Sequence, residues 1–164
     1  MFRNEILSRR AVLAGLAGVP FLLAPARLPA AGALPKMVVF KDPSCGCCAD
    51  WVDHVRAAGF PADVIESAEM NAHKLRLRVP PALASCHTAE VDGYVVEGHV
   101  PAEAIVRLLA ERPTAVGLAV PGMPVGSPGM EVAGMAPDAY DVVLFGPGGE
   151  SRFARYRGTE RLSG

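Results

Sequence analysis

The chain lacks the marks of most enzyme classes. It has no serine-nucleophile motif, no phosphate-binding glycine loop and no pair of carboxylates in a defined setting, so hydrolysis and phosphoryl transfer have nothing to rest on. It lacks an excess of either charge. Sixteen Lys and Arg stand against 17 Asp and Glu, a formal net charge of −1, which gives no sign of a nucleic-acid or anionic-membrane partner. With four cysteines in 164 residues it lacks the material for a disulfide scaffold, and their spacing is uneven. It has no internal repeat. Length allows one domain, or one domain with an appendage, and a composition that is 51% hydrophobic and 20% charged suffices for a packed core.

The longest uncharged apolar stretch near the N-terminus is short for a membrane-spanning helix as well. Ala11 to Ala26 carries no charge, but it is 16 residues long and broken by Pro20 and Pro25. A spanning helix needs roughly 20 residues. Arg3, Arg9 and Arg10 precede the stretch, and Ala31-Gly32-Ala33 follows as a small–x–small cleavage pattern. Residues 1–33 therefore read as a secretory signal, which places the mature protein in a bacterial periplasm. An uncleaved anchor is the alternative. Ser8-Arg9-Arg10-Ala11-Val12-Leu13 resembles a twin-arginine signal, departing from it where Ala11-Val12 replaces a variable residue and Phe. Removal of residues 1–33 takes away four Arg and one Glu, leaving 12 basic and 16 acidic side chains and a formal charge of −4.

What is present is a crowd of sulfur. Cys45-Gly46-Cys47-Cys48 places three thiols in four positions, and Cys86 is the fourth. Met37–Lys41 reads as a buried strand, Asp42-Pro43-Ser44 breaks it, and a helix is expected from about Cys47 to Ala58, stopped by Gly59. Ser44 or Asp42 is placed to cap that helix, and Trp51 falls on its core face. Strand Phe60–Ile65, helix Ala68–Arg78, strands Ala82–Glu90 and Tyr94–Glu97 joined through Asp92-Gly93, and a helix from Pro101 to Pro113 are expected to follow. Residues 117–137, rich in Gly and Pro, read as one long loop, and Asp141–Phe145 with Arg152–Tyr156 as a closing hairpin. The order is α/β, a thioredoxin-like β-α-β-α-β-β-α over residues 34–112, with a Gly/Pro loop and β-hairpin extension over 113–164 packed on it. Val79-Pro80 stands before the third strand, where that fold has a proline facing its cysteine motif, and a cis bond is expected there.

A thiolate at a helix N-terminus is stabilised by the dipole and by free N–H groups, which suits a ligand or a nucleophile. Cys45 and Cys48 have the Cys-x-x-Cys spacing of a thiol–disulfide oxidoreductase, so that reading stays open, but Cys47 between them offers a competing partner. Adjacent cysteines fit a single tetrahedral zinc poorly, which leaves a structural zinc domain as a third reading. Cu(I) is soft and takes bridging thiolates, so several ions fit best, and Gly46 lets the backbone fold tightly there. Cys86 joins the set if it lies beside the helix start. With regular alternation Cys86 and Thr88 share one strand face and His87 takes the other, so His87 reads as a polar surface or hydrogen-bonding residue before it reads as a ligand. His99, Met123 and Met130 are the further ligand candidates, with Met135 behind them. His54 and His73 read as surface, and Asp42 and Glu131 as poor Cu(I) ligands.

Taken together, Phe40-Lys41-Asp42-Pro43-Ser44-Cys45-Gly46-Cys47-Cys48, Ser85-Cys86-His87-Thr88, Glu97-Gly98-His99-Val100-Pro101 and the run from Pro121 to Glu131 resemble the periplasmic copper-resistance proteins called CopG. The resemblance covers about residues 36–157. It implies an atypical thioredoxin fold and a role in copper tolerance. It also implies Cu(I) held as a thiolate cluster by Cys45, Cys47, Cys48 and Cys86, with copper ions and other periplasmic copper-handling proteins as partners.

Overall fold

Eight strands run through one mixed sheet in the order β2-β1-β3-β4-β5-β6-β7-β8. They belong to a computed structural model that describes residues 32–163. Nearly all of the expected leader, residues 1–33, lies outside the described residues. The elements are β1 (Met37–Lys41), α1 (Gly46–Ala57), β2 (Ala62–Glu66), α2 (Met70–Arg76), a 3₁₀ turn (Pro81–Leu83), β3 (His87–Val91), β4 (Tyr94–Glu97), α3 (Ala102–Glu111), β5 (Gly117–Ala119), β6 (Ala139–Gly146), β7 (Gly149–Arg157) and β8 (Glu160–Leu162). β1 with β2 and β4 with β5 pair in parallel, each across a helix, and the remaining neighbours are antiparallel. Among the described residues no helix is long and apolar enough to cross a membrane.

The pleat sends alternate side chains to two cores. On one face α1 contributes Trp51, Val52 and Val55, and α3 contributes Ile105 and Leu108, packed on Met37, Val39, Ala89, Val91 and Val96. Trp51 is fully buried, as its place on the helix stripe predicts, and its indole N–H donates to the Val100 carbonyl at 2.9 Å. The opposite face carries Phe40, Val95 and Phe145 under Leu77, Val79 and Leu83. Gly59 stops α1 at φ +100°, with its N–H on the Arg56 carbonyl.

Several expectations need correction. The helix cap is Cys45 itself; Asp42 instead accepts both the N–H and the hydroxyl of Ser44 and tightens the turn before it. The strand expected from Ala82 starts only at His87. Pro81 opens a 3₁₀ turn, and the Ser85 N–H goes to the Glu97 carboxylate rather than to a ladder. No cis peptide occurs at Pro80, because the turn, closed by Leu83 N–H on the Pro80 carbonyl, reverses the chain with a trans bond. The loop expected over 117–137 begins with a strand, β5, and a further strand, β8, follows the hairpin. Both are three residues long and exist by pairing rather than by pattern. His54, read as surface, is half-buried, and its Nε2 accepts the Ala102 N–H at 3.1 Å. It caps α3, whose own cap residue, Pro101, has no side chain able to do so. Against the same reading, His73 packs its ring on Phe40 at 4.3 Å.

β5 joins the first four strands to the last three, and Gly117 lets it approach. A Cβ on Gly117 would lie 1.8 Å from the Val95 carbonyl oxygen of β4. Gly117→Ala is expected to lower stability by about 2–3 kcal/mol through forced displacement of β5. Gly148→Ala, at a position with nothing within 4 Å, serves as the control and should change stability by less than about 0.5 kcal/mol. Urea unfolding of the two variants checks this.

Candidate metal centre

The register of β1 against β3 sets Lys41 opposite His87. The chain leaving β1 makes its turn and enters α1 at the place where the chain entering β3 arrives. Cys45, Cys47 and Cys48 at the helix start thereby meet Cys86, which lies in a bend one residue ahead of β3. The four Sγ atoms all lie within 4.8 Å of one another. Cys48 is buried and the other three are half-buried. Cys45 and Cys48 are joined as a disulfide, and Cys47 and Cys86 are free thiols. Cys45 Sγ and Cys47 Sγ are 3.5 Å apart.

Two histidines close on Cys86. Its Sγ lies 3.3 Å from His87 Nδ1 and 3.0 Å from His99 Nε2, and the three residues form a second group with donor atoms within 4.8 Å of one another. Both histidines are fully buried. His87 points to the α1 face, its ring 4.3 Å from that of Trp51, and His99 meets it edge-on at 5.0 Å. The expected surface place of His87 is therefore corrected. Alternation does put it opposite Thr88, but its own face is the one that α1 and the cysteines cover. Cys86, outside the strand, does not follow the alternation at all. His87 Nε2 is buried with no hydrogen-bond partner among the described residues.

The Gly/Pro segment after β5 supplies backbone to the same site. His99 Nδ1 lies 2.8 Å from the Pro128 carbonyl oxygen. A carbonyl only accepts, so Nδ1 carries the proton and the lone pair of Nε2 faces Cys86. The Ser85 hydroxyl donates to the Gly122 carbonyl. Gly129, at φ +82°, packs on the first turns of α1, where a Cβ would lie 2.7 Å from Trp51 N and 2.8 Å from Cys47 O. Met123 follows Gly122 and is 53% exposed, Met130 follows Gly129 and is half-buried, and Met135 is 57% exposed in a shallow cleft with Val132 and Pro137.

Burial governs the protonation of these groups. It pushes the Cys86 thiol up to about 11, with the neighbouring Cys47 adding to the shift. His87 is held well below the usual imidazole range by burial, then by the nearby His99 and Lys74, and His99 is lowered by burial as well. A Cys86 thiol that gives up its proton only to a stronger competitor, and a neutral His99 whose Nε2 lone pair faces it, make a donor set suited to a soft cation. Sequence reasoning assembled the four sulfurs but missed the carbonyls of Gly122 and Pro128, for which sequence carries no signal. It also missed the buried Glu97, whose signal was a lone carboxylate ending the apolar run Tyr94-Val95-Val96.

Known proteins were compared with this geometry in hand. Residues 83–130 match the model of a family described as a protein of unknown function, DUF411. Two solved structures, described as copper resistance protein copG in form 2 and form 1, match with TM-scores of 0.71 and 0.70. Each is 49% identical to this chain; the matches cover 75% and 76% of it and 98% and 99% of theirs. No curated protein matches.

The disulfide form should take two equivalents of iodoacetamide and the fully reduced form four, read by intact mass. Because its pKa stands near 11, Cys86 should react slowly at pH 8 and gain about tenfold in rate per pH unit until the thiol is fully ionised. A rate at Cys86 that is already flat above pH 8 contradicts the burial argument.

Proposed function

This chain belongs to the family of the copper resistance protein CopG, and from that premise we propose that it gathers Cu(I) in the periplasm on Cys45, Cys47, Cys48 and Cys86, and either sequesters it or passes it on. The observation that carries the reading is the meeting of four Sγ atoms within 4.8 Å of one another. Thiolates that close can bridge several Cu(I) ions, and equal numbers of thiolates and Cu(I) cancel in charge, which suits a half-buried site. His99 stands next as a ligand, its Nε2 lone pair facing Cys86, and His87 follows, with Nδ1 3.3 Å from the same sulfur. Met123 and Met130 are assigned as thioether donors on the approach, since each adjoins a glycine whose backbone meets the site.

A thioredoxin-like core over 34–112 is supported by the order β2-β1-β3-β4, by the cysteine motif after β1 at the start of a helix, and by helices on both faces. Residues 113–164 form the extension that adds the Gly/Pro wall. Residues 1–33 carry the export signal, and copper donors or acceptors in the same compartment are the expected protein partners.

The Cys45–Cys48 disulfide favours a second reading, a thiol–disulfide or copper oxidoreductase. Reduction of that bond by two electrons and two protons restores two thiols, so four-thiolate binding and the disulfide exclude one another. The readings separate in one experiment. The anaerobically reduced protein should hold several Cu(I) per chain, and Cys86→Ser should lose about half or more of them. Metal analysis after gel filtration reads both. The oxidised form, with two free thiols, should hold fewer ions, and loading should strengthen as pH rises because ligand protons are released. One zinc per chain, held against Cu(I), would establish the zinc-domain reading instead. No metal with rapid disulfide exchange would establish the oxidoreductase.

A further inference from the structure

Glu97 is the one carboxylate fully buried among the described residues, and none of its hydrogen bonds goes to a sulfur. It lies on the sheet face opposite His87, with neighbours from three other parts of the chain. Its Oε1 accepts from Lys74 Nζ of α2 and from the Ser85 N–H, each at 2.5 Å. Its Oε2 accepts the Thr88 hydroxyl of β3 at 2.6 Å, and that hydroxyl in turn accepts from Lys74 Nζ at 3.0 Å.

The residue that this network grips is Ser85, directly before Cys86. Ser85 is held again from the other side, where its hydroxyl bonds the Gly122 carbonyl. A third restraint comes from Gly98, next to Glu97 in sequence. At φ +70° it presses so closely that a Cβ there would lie 2.6 Å from Ser85 Cβ, Ser85 Oγ and the Val120 carbonyl. Cys86 has no ladder partner to place it, since β3 starts at His87. Its Sγ nonetheless stands 3.0 Å from His99 Nε2 and inside the cysteine group. For stability alone, an apolar pair of similar volume commonly serves as well as a buried ion pair. An acceptor aimed at one backbone N–H is what an apolar pair does not provide.

We propose that the buried Glu97–Lys74 pair is a positioning device for Cys86: through the Ser85 N–H it holds Cys86 Sγ at the fourth corner of the sulfur cluster. The proposal rests on the reading that Cys86 is a copper ligand. Glu97 and Lys74 are positioning residues, which act on Cys86 through the Ser85 N–H.

The test uses the full chain, reduced under anaerobic conditions and loaded with Cu(I) alone. Lys74→Met/Glu97→Leu replaces the pair with apolar side chains and leaves no lone buried charge. It should still unfold in one cooperative transition, with a urea midpoint lowered by the acceptor that the Ser85 N–H and the Thr88 hydroxyl lose, while its copper count falls to that of Cys86→Ser. Glu97→Gln, which keeps an acceptor oxygen for Ser85, should retain the wild-type count. A stable double variant that binds copper like the wild type overturns the positioning role. If Cys86→Ser itself binds like the wild type, the ligand reading fails instead, so the two failures are distinct. Should the double variant not fold, amide exchange in the apo wild type decides. The Ser85 N–H should exchange at least about a hundredfold more slowly than that of Ala82, which is exposed and bonded to no carbonyl. Equal rates at the two amides reject the clamp.

Discussion

The pairing of β1 with β3 is the constraint on which the site depends. It aligns Lys41 with His87, so the chain leaving one strand and the chain entering its neighbour cross the same end of the sheet. One strand hands its cysteines to the start of α1, and the other brings Cys86 to meet them. A slip of one residue would turn His87 and Thr88 to the wrong faces. His87 would enter the polar network with Glu97, and Thr88 would face Trp51. The apolar alternation of both strands, with Met37, Val39, Ala89 and Val91 on the α1 face, resists that slip because each of these residues is fully or almost fully buried.

Around that meeting point the backbone does as much as the side chains. Pro128 offers a carbonyl that orients His99, Gly122 offers one to Ser85, and Gly129 brings the chain against α1 without a Cβ. A segment without regular structure can do this because each contact uses one carbonyl or one missing side chain. Its path is held by contacts within it and to Asp138, just ahead of β6, including Ser127 N–H on the Pro124 carbonyl and Val125 N–H on the Asp138 carboxylate. The sheet continues through β5 into β6, β7 and β8, so the loop is anchored at both ends by strands of one sheet.

The same burial that gives the site its shape sets its chemistry. A half-buried thiol with a raised pKa and two enclosed neutral imidazoles are poor partners for water and protons. On the function proposed above, a soft monovalent cation would answer both needs, since it would displace thiol protons and add little charge to a low-dielectric setting. The disulfide between Cys45 and Cys48 answers the crowding of sulfur in another way, by removing two of the four donors. Which form prevails is a matter of the reducing power around the protein.

By itself the sequence determined the class of chemistry and most of the frame. A triple-cysteine turn between an apolar strand and an amphipathic helix is local, and local patterns are readable: α1, its stop at Gly59, the buried Trp51, the Asp92-Gly93 hairpin and the β6–β7 pair all follow from spacing and turn residues. Only the tertiary structure decided which side chains face the cluster. His87 entered because α1 covers its face of β3, His54 left the surface because α3 needed a cap, and β5 became a strand because Gly117 could lie against Val95. Glu97 and Lys74, unremarkable as letters, became a buried pair behind Cys86. These outcomes depend on contacts between residues distant in sequence, and a local pattern carries no record of what lies across the sheet.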